Sequence, residues 1–166
     1  MITNLEDLYR DQLRDLYSAE TQLVAALPDM VSAATHNELR EGLSKHLGET
    51  RGQRVRLDLI CERRGISPEG EDCDAMRGLI KEARKHVGET LAGEVRDAVL
   101  IASANRVEHY EIAAYGVTRA FAKALGYDDD ARLLGESLDE EAATDEALTK
   151  IATGGLFGSG VNVAAI

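Results

Sequence analysis

Only two prolines, Pro28 and Pro68, interrupt the 166 residues of this chain, and strand-like alternation of apolar and polar positions is absent. Long stretches are left free to propagate helix, so the fold class expected is all-α. Cysteine is as scarce. Cys61 and Cys73 stand alone, with no CxxC and no partner motif. That excludes a disulfide framework or a zinc knuckle and leaves two reduced thiols. No basic tract offsets a formal net charge of −11, which excludes nucleic acid as a general partner. No apolar run approaches the ~20 residues needed to span a bilayer, so no membrane role is expected. No basic-plus-apolar leader is present, and a cytoplasmic location is expected.

Hydrophobic residues make up 44% and charged residues 30%, an ordinary balance for one domain with a single core. The bundle is expected to occupy residues 1–153, followed by a glycine-rich apolar tail, 154–166, either disordered or laid against a neighbouring surface. Helix one starts at the capping box Thr3-Asn4-Leu5-Glu6 and runs to about Ala34, with a kink or break at Pro28. A second T-x-x-E, Thr35 to Glu38, opens helix two, which ends where Gly65 takes the left-handed cap. A short helix follows, about Asp74 to Val87. Two more long helices cover about 94–125 and 129–152, the last capped by Asp128. Asp128, Asp129 and Asp130 suit its positive N-terminal end. Two tight hairpins joined by a long crossover with a short extra helix make a ferritin-like four-helix bundle.

Each long helix carries acid where its inward seam should be oily. Glu20 interrupts Leu13, Leu16, Leu23 and Leu27; His46, Glu49 and Gln53 interrupt Leu43 and Leu57. Glu108 and Glu111 lie between Leu100 and Thr118, and Glu141 and Asp145 between Leu138 and Leu148. An unpaired buried charge costs several kcal/mol, so a shared cation site is the simplest common cause. Glu20, Glu49, Glu108 and Glu141 bring four negative charges, which two divalent ions balance. Carboxylates with imidazole suit iron or manganese. Tyr17 and Tyr115, each one turn from a seam acid, are placed to orient ligands. His109 points away from the seam, to a surface or interface. The competing account is a metal-free bundle whose acids pair with Arg14, Arg51, Arg54, Arg56 or Arg106.

Three segments carry a resemblance: His46-Leu-Gly-Glu-Thr-Arg-Gly-Gln53, Arg106-Val-Glu-His-Tyr-Glu-Ile-Ala-Ala-Tyr-Gly116 and Leu138-Asp-Glu-Glu-Ala-Ala-Thr-Asp145. Over residues 3 to 152 the chain resembles the YciE/YciF family of bacterial stress-associated proteins in the ferritin-like superfamily. The resemblance implies a bundle, commonly dimeric, with a di-metal centre. It departs from the Glu-x-x-His pattern of di-iron bundles, because Gly52 follows Glu49 and Thr144 follows Glu141 at the histidine positions. His46 would substitute from the preceding turn, and Glu111 resembles the extra acid of rubrerythrin-type sites. The function expected is a ferritin-like metal protein that reduces peroxide or dioxygen with electrons from an external donor. The alternative is a metal-free structural stress protein working as a homodimer.

Overall fold

The computed structural model describes residues 1–154 and 158–166. Among the described residues there are six helices: α1 (Leu5–Ala33), α2 (Asn37–Arg64), α3 (Asp74–Gly88), α4 (Glu94–Ala124), α5 (Asp128–Thr153) and the single turn α6 (Val161–Ala164). No strand occurs among the described residues. α1 and α2 form one hairpin and α4 and α5 the other. α1 also packs on α4 and α2 on α5, which closes a four-helix bundle. The crossover from α2 to α4 carries α3, which lies against α1 and α4. Met76 and Ala83 of α3 are buried there, with Leu79 and Ile80 packed beside them.

Apolar burial falls into two separate clusters. One holds Leu23, Leu27, Leu39, Leu43, Leu100, Ala104 and Leu148. The other holds Tyr9, Leu13, Leu16, Leu57, Ile60, Tyr115 and Leu134. Along every long helix the acid-bearing turns lie between these two sets. The bundle core is therefore oil at both ends and polar in the middle.

Helix ends depart from expectation in instructive ways. α1 is capped by Asn4, which accepts from Asp7 N at 2.9 Å, while Asp7 reaches back to Thr3 N at 3.0 Å. The cap thus sits one residue later than Thr3, because Asn is the stronger cap, and the Asp7 carboxylate accepts from the N–H of the residue before the cap rather than from the cap's own. Glu6 instead pairs with Arg10 and accepts from the Tyr127 hydroxyl. Of the kink or break expected at Pro28, the break does not occur. α1 is one helix through it, with the ring on the exposed side and Leu23 and Leu27 anchoring the buried side.

The local box expected at Thr35–Glu38 is also replaced. α2 begins without a side-chain cap of its own. The buried Asp97 of α4 accepts from Thr35 N (2.8 Å), Thr35 Oγ1 (2.5 Å) and His36 N (2.9 Å). α5 likewise has no side-chain cap, and Asp128 lies inside its first turn. Gly65 does take the left-handed C-cap conformation, with φ 61°.

The tail expected at 154–166 includes 155–157, which lie outside the described residues. Beyond them the backbone returns over the end of α5. A Cβ on Gly154 or Gly160 would collide with backbone there, which explains glycine at both positions. Val161 is buried in the core cluster next to α4 and α5.

Candidate metal centre

At the polar midplane, one donor atom from each of His46, Glu108, Glu111 and Glu141 lies within 4.8 Å of the others. All four residues are buried, as is Glu20 from α1. This set could hold a metal ion. α2 supplies the imidazole, α4 two acids one turn apart, and α5 the third acid. The three- and four-residue steps that put Leu43, Leu100 and Leu148 into the core carry these groups inward as well.

Partners within the layer are few. The Tyr115 hydroxyl donates to Glu20 Oε1 at 2.5 Å. The Gln53 amide donates to Glu141 and, at 3.1 Å, to Glu140. His46 Nε2 is 3.2 Å from Glu108 Oε1, without hydrogen-bond alignment. Both oxygens of Glu111, one each of Glu20, Glu108 and Glu141, and both nitrogens of His46 are buried and meet no N–H or hydroxyl partner. Glu20 lies in hydrogen-bond reach of Glu111 and Glu108 of Glu141, bonds that form only when one acid of each pair is protonated. Native interiors seldom leave so many polar atoms unpaired in one place.

Three of the five candidate arginines are engaged elsewhere, while Arg54 Nε is itself buried without a partner. Arg56 binds Glu140 at 2.6 and 2.8 Å, Arg14 the Ser67 carbonyl, and Arg106 reaches only Glu82 at 3.8 Å. Among the described residues no arginine or lysine forms an ion pair with Glu20, Glu108, Glu111 or Glu141. The arginine account does hold for a different acid. Asp130, fully buried, is bound by Arg64 Nε at 2.6 Å and accepts from the Tyr9 hydroxyl.

Without a cation the layer is electrostatically unfavourable, and the protonation equilibria register it. Burial first, then neighbouring carboxylates, pushes Glu20, Glu108 and Glu111 well above the usual carboxylate range. Glu141 is pushed up to about 7, mainly by burial. His46 is lowered to about 4, first by burial and then by the Lys45 charge, so its ring is neutral and able to ligate near neutral pH.

Two of the acids expected in the site lie at its margin. Glu49, with 19% of its side chain exposed, pairs with Lys45 and accepts from Thr144 Oγ1 at 3.4 Å. Asp145 lies 3.2 Å from Nε2 of the exposed His109. Of the two tyrosines expected to orient ligands, Tyr115 binds Glu20, whereas Tyr17 stands in the neighbourhood of Asp58 and Arg54. Sequence reading missed a second polar group: Asp15 accepts from the Tyr110 hydroxyl at 2.5 Å, and Cys73 Sγ lies 3.0 Å from that oxygen. Its members come from α1, α4 and the start of α3, so no single-helix pattern marks it.

An all-α bundle whose waist gathers glutamates and a histidine from all four long helices defines a ferritin-like protein with a candidate metal centre. The chain belongs to the family described as Domain of unknown function (DUF892), which matches residues 4–159. Protein YciF of Escherichia coli (strain K12) is 45% identical over 149 residues, covering 89% of this chain and 90% of that protein. The solved structure of the E. coli stress protein YciF superposes with a TM-score of 0.86 at 44% identity, over 90% of this chain and 94% of that one. YcfI of Rhodopseudomonas palustris, described as a candidate structural protein, superposes with a TM-score of 0.88 at 46% identity, over 91% and 96% of the two chains. The resemblance carried by the three motif segments is borne out.

Proposed function

We propose that this chain is a ferritin-like metal protein whose midplane holds two divalent ions, iron or manganese, and reduces peroxide or dioxygen. The observation that carries the reading is the cluster of buried carboxylate and imidazole atoms with, among the described residues, no arginine or lysine ion-paired to Glu20, Glu108, Glu111 or Glu141. Glu108, Glu111, Glu141 and His46 would hold metal, with Glu20 joining from α1. The four buried carboxylates, when ionised, balance the four positive charges of two divalent ions. For Glu49 to ligate it must exchange Lys45 for the cation, and Asp145 must turn from His109.

Bound there, a redox-active pair of ions would supply electrons to the oxidant. The protein's own groups set the environment. Tyr115 fixes the Glu20 carboxylate, Gln53 fixes Glu141, and the apolar clusters at both ends keep the layer dry. No CxxC electron-transfer module is present, so a separate electron donor is part of the proposal. The unpaired thiols of Cys61 and Cys73 support a reducing, cytoplasmic setting, which cell fractionation tests.

The second reading is a metal-free structural bundle. It is favoured by the pairing of Glu20 with Glu111 and of Glu108 with Glu141, since burial raises their proton affinity and lets the acids sit in the core as neutral, mutually hydrogen-bonded carboxylic acids. Anaerobic loading followed by elemental analysis separates the two. About two ions per chain support the first, and none after loading supports the second. Peroxide consumption with an added reductant then tests turnover. A homodimer belongs to either reading. Val55 and Leu59, one turn apart and exposed on α2, give an apolar strip suited to a second copy. Light scattering should show a dimer that Leu59→Glu weakens; a monomer at all concentrations contradicts it.

A further inference from the structure

A cavity of about 210 Å³ lies between α1, α3 and α4, starting one turn beyond Glu20. Leu23, Met30, Ile80, Val87, Leu100 and Val107 make most of its wall. Ser103 is the exception. The residue is 5% exposed, lines the cavity, and its hydroxyl has no hydrogen-bond partner. Other helical hydroxyls of this protein return to the carbonyl four residues back, as at Thr21, Ser32, Ser44, Thr50 and Thr118. Ser103 has the Val99 carbonyl at the same offset and does not use it. A buried hydroxyl left unpaired is costly, so an unfilled bond here points into the space it borders.

At the rim, Asp29 and Arg84 face one another at 3.4 Å, both exposed. Their charges cancel, so the entrance favours neither anion nor cation. An apolar cavity of about 150 Å³ accepts benzene, and this one is somewhat larger with one polar point in its wall. We propose that it binds a neutral aliphatic molecule of about six to eight carbons bearing one oxygen, an alcohol or a carbonyl compound. The oxygen pairs with Ser103 Oγ and the hydrocarbon fills the space under α3. Occupancy needs no metal, so the proposal stands apart from the midplane chemistry.

Calorimetric titration of the full chain, metal-free and metal-loaded, with cyclohexanol, cyclohexane and cyclohexanecarboxylate tests it. Cyclohexanol should bind saturably in both forms and more tightly than the carboxylate. Ser103→Ala should weaken cyclohexanol about fivefold and leave cyclohexane unchanged. The substitution removes no partnered group, so the variant stays folded, which its thermal melting confirms. Ala83→Leu, which fills the cavity from α3, should abolish binding of all three. Absence of saturable cyclohexanol binding overturns the proposal. So does an unchanged affinity in Ser103→Ala or in Ala83→Leu.

Discussion

Both carboxylate oxygens of Glu111 are buried and meet no N–H or hydroxyl donor, and the charges of Glu141 and Glu20 oppose its ionisation. Glu111→Gln keeps the shape and removes the charge. Its metal-free form should be more stable than the parent in urea titrations, while its metal affinity falls at least about tenfold. Loss of stability with metal uptake unchanged would make Glu111 a structural acid. Alanine is a poorer probe at Glu20, because it would strand the Tyr115 hydroxyl that now donates there. The same layer sets a pH dependence. In the unfolded chain its acids ionise near 4.5, but in the fold Glu141 waits until about 7, and burial raises Glu20, Glu108 and Glu111 well above their ordinary range as well. Folded protons are thus held more tightly, and metal-free stability should fall as pH rises from about 4.5 through about 7. His46 acts oppositely, costing stability as pH falls from 6.5 toward 4, but it is one group against four. Metal loading releases protons and should flatten or reverse the slope. Denaturation midpoints at several pH values, with and without metal, decide it. Glu20, Glu108 and Glu141 were legible because a charge inside a leucine stripe is a local anomaly. The margin position of Glu49 was not. Three residues past His46 is about 300° around the helix, roughly 60° off the inward line that Gln53 nearly regains, and Lys45 one turn earlier supplies a competing partner.

Among the elements, α2 depends for its start on a residue 61 or 62 positions away in the chain. Asp97 satisfies three donors at Thr35 and His36. Asp97→Ala should destabilise the protein by roughly 2 kcal/mol, measured by urea unfolding, with metal stoichiometry unchanged. An effect under about 0.5 kcal/mol would show that solvent caps α2 equally well. Capping signals in sequence are local, so Thr35–Glu38 looked sufficient, while a cap delivered across the bundle leaves no mark. Asp130 repeats the lesson. In the first turn of α5 it looks like a dipole partner, yet it is the buried ligand of Arg64 and Tyr9. Pro28 looked like a kink or a break, but burial of Leu23 and Leu27 on the opposite side of α1 outweighs one missing hydrogen bond and keeps the helix continuous. Helix periodicity and the glycine at 65 were readable because they depend on nearest turns alone.

For the whole molecule, two apolar clusters separated by an acidic waist explain how a chain with so few aromatic residues keeps one fold while tolerating buried charge. The bundle and its crossover were visible in helix lengths and loop spacing, since short links force antiparallel neighbours. What those could not give is rotation of each helix about its axis, which decides which acids meet. The cation at the waist is the central claim, and an anomalous-scattering map of crystals grown with iron or manganese and without chelator tests it most directly. The account predicts strong density among Glu108, Glu111, Glu141 and His46. A featureless map there, with those side chains hydrogen-bonded to one another or to water, would contradict it.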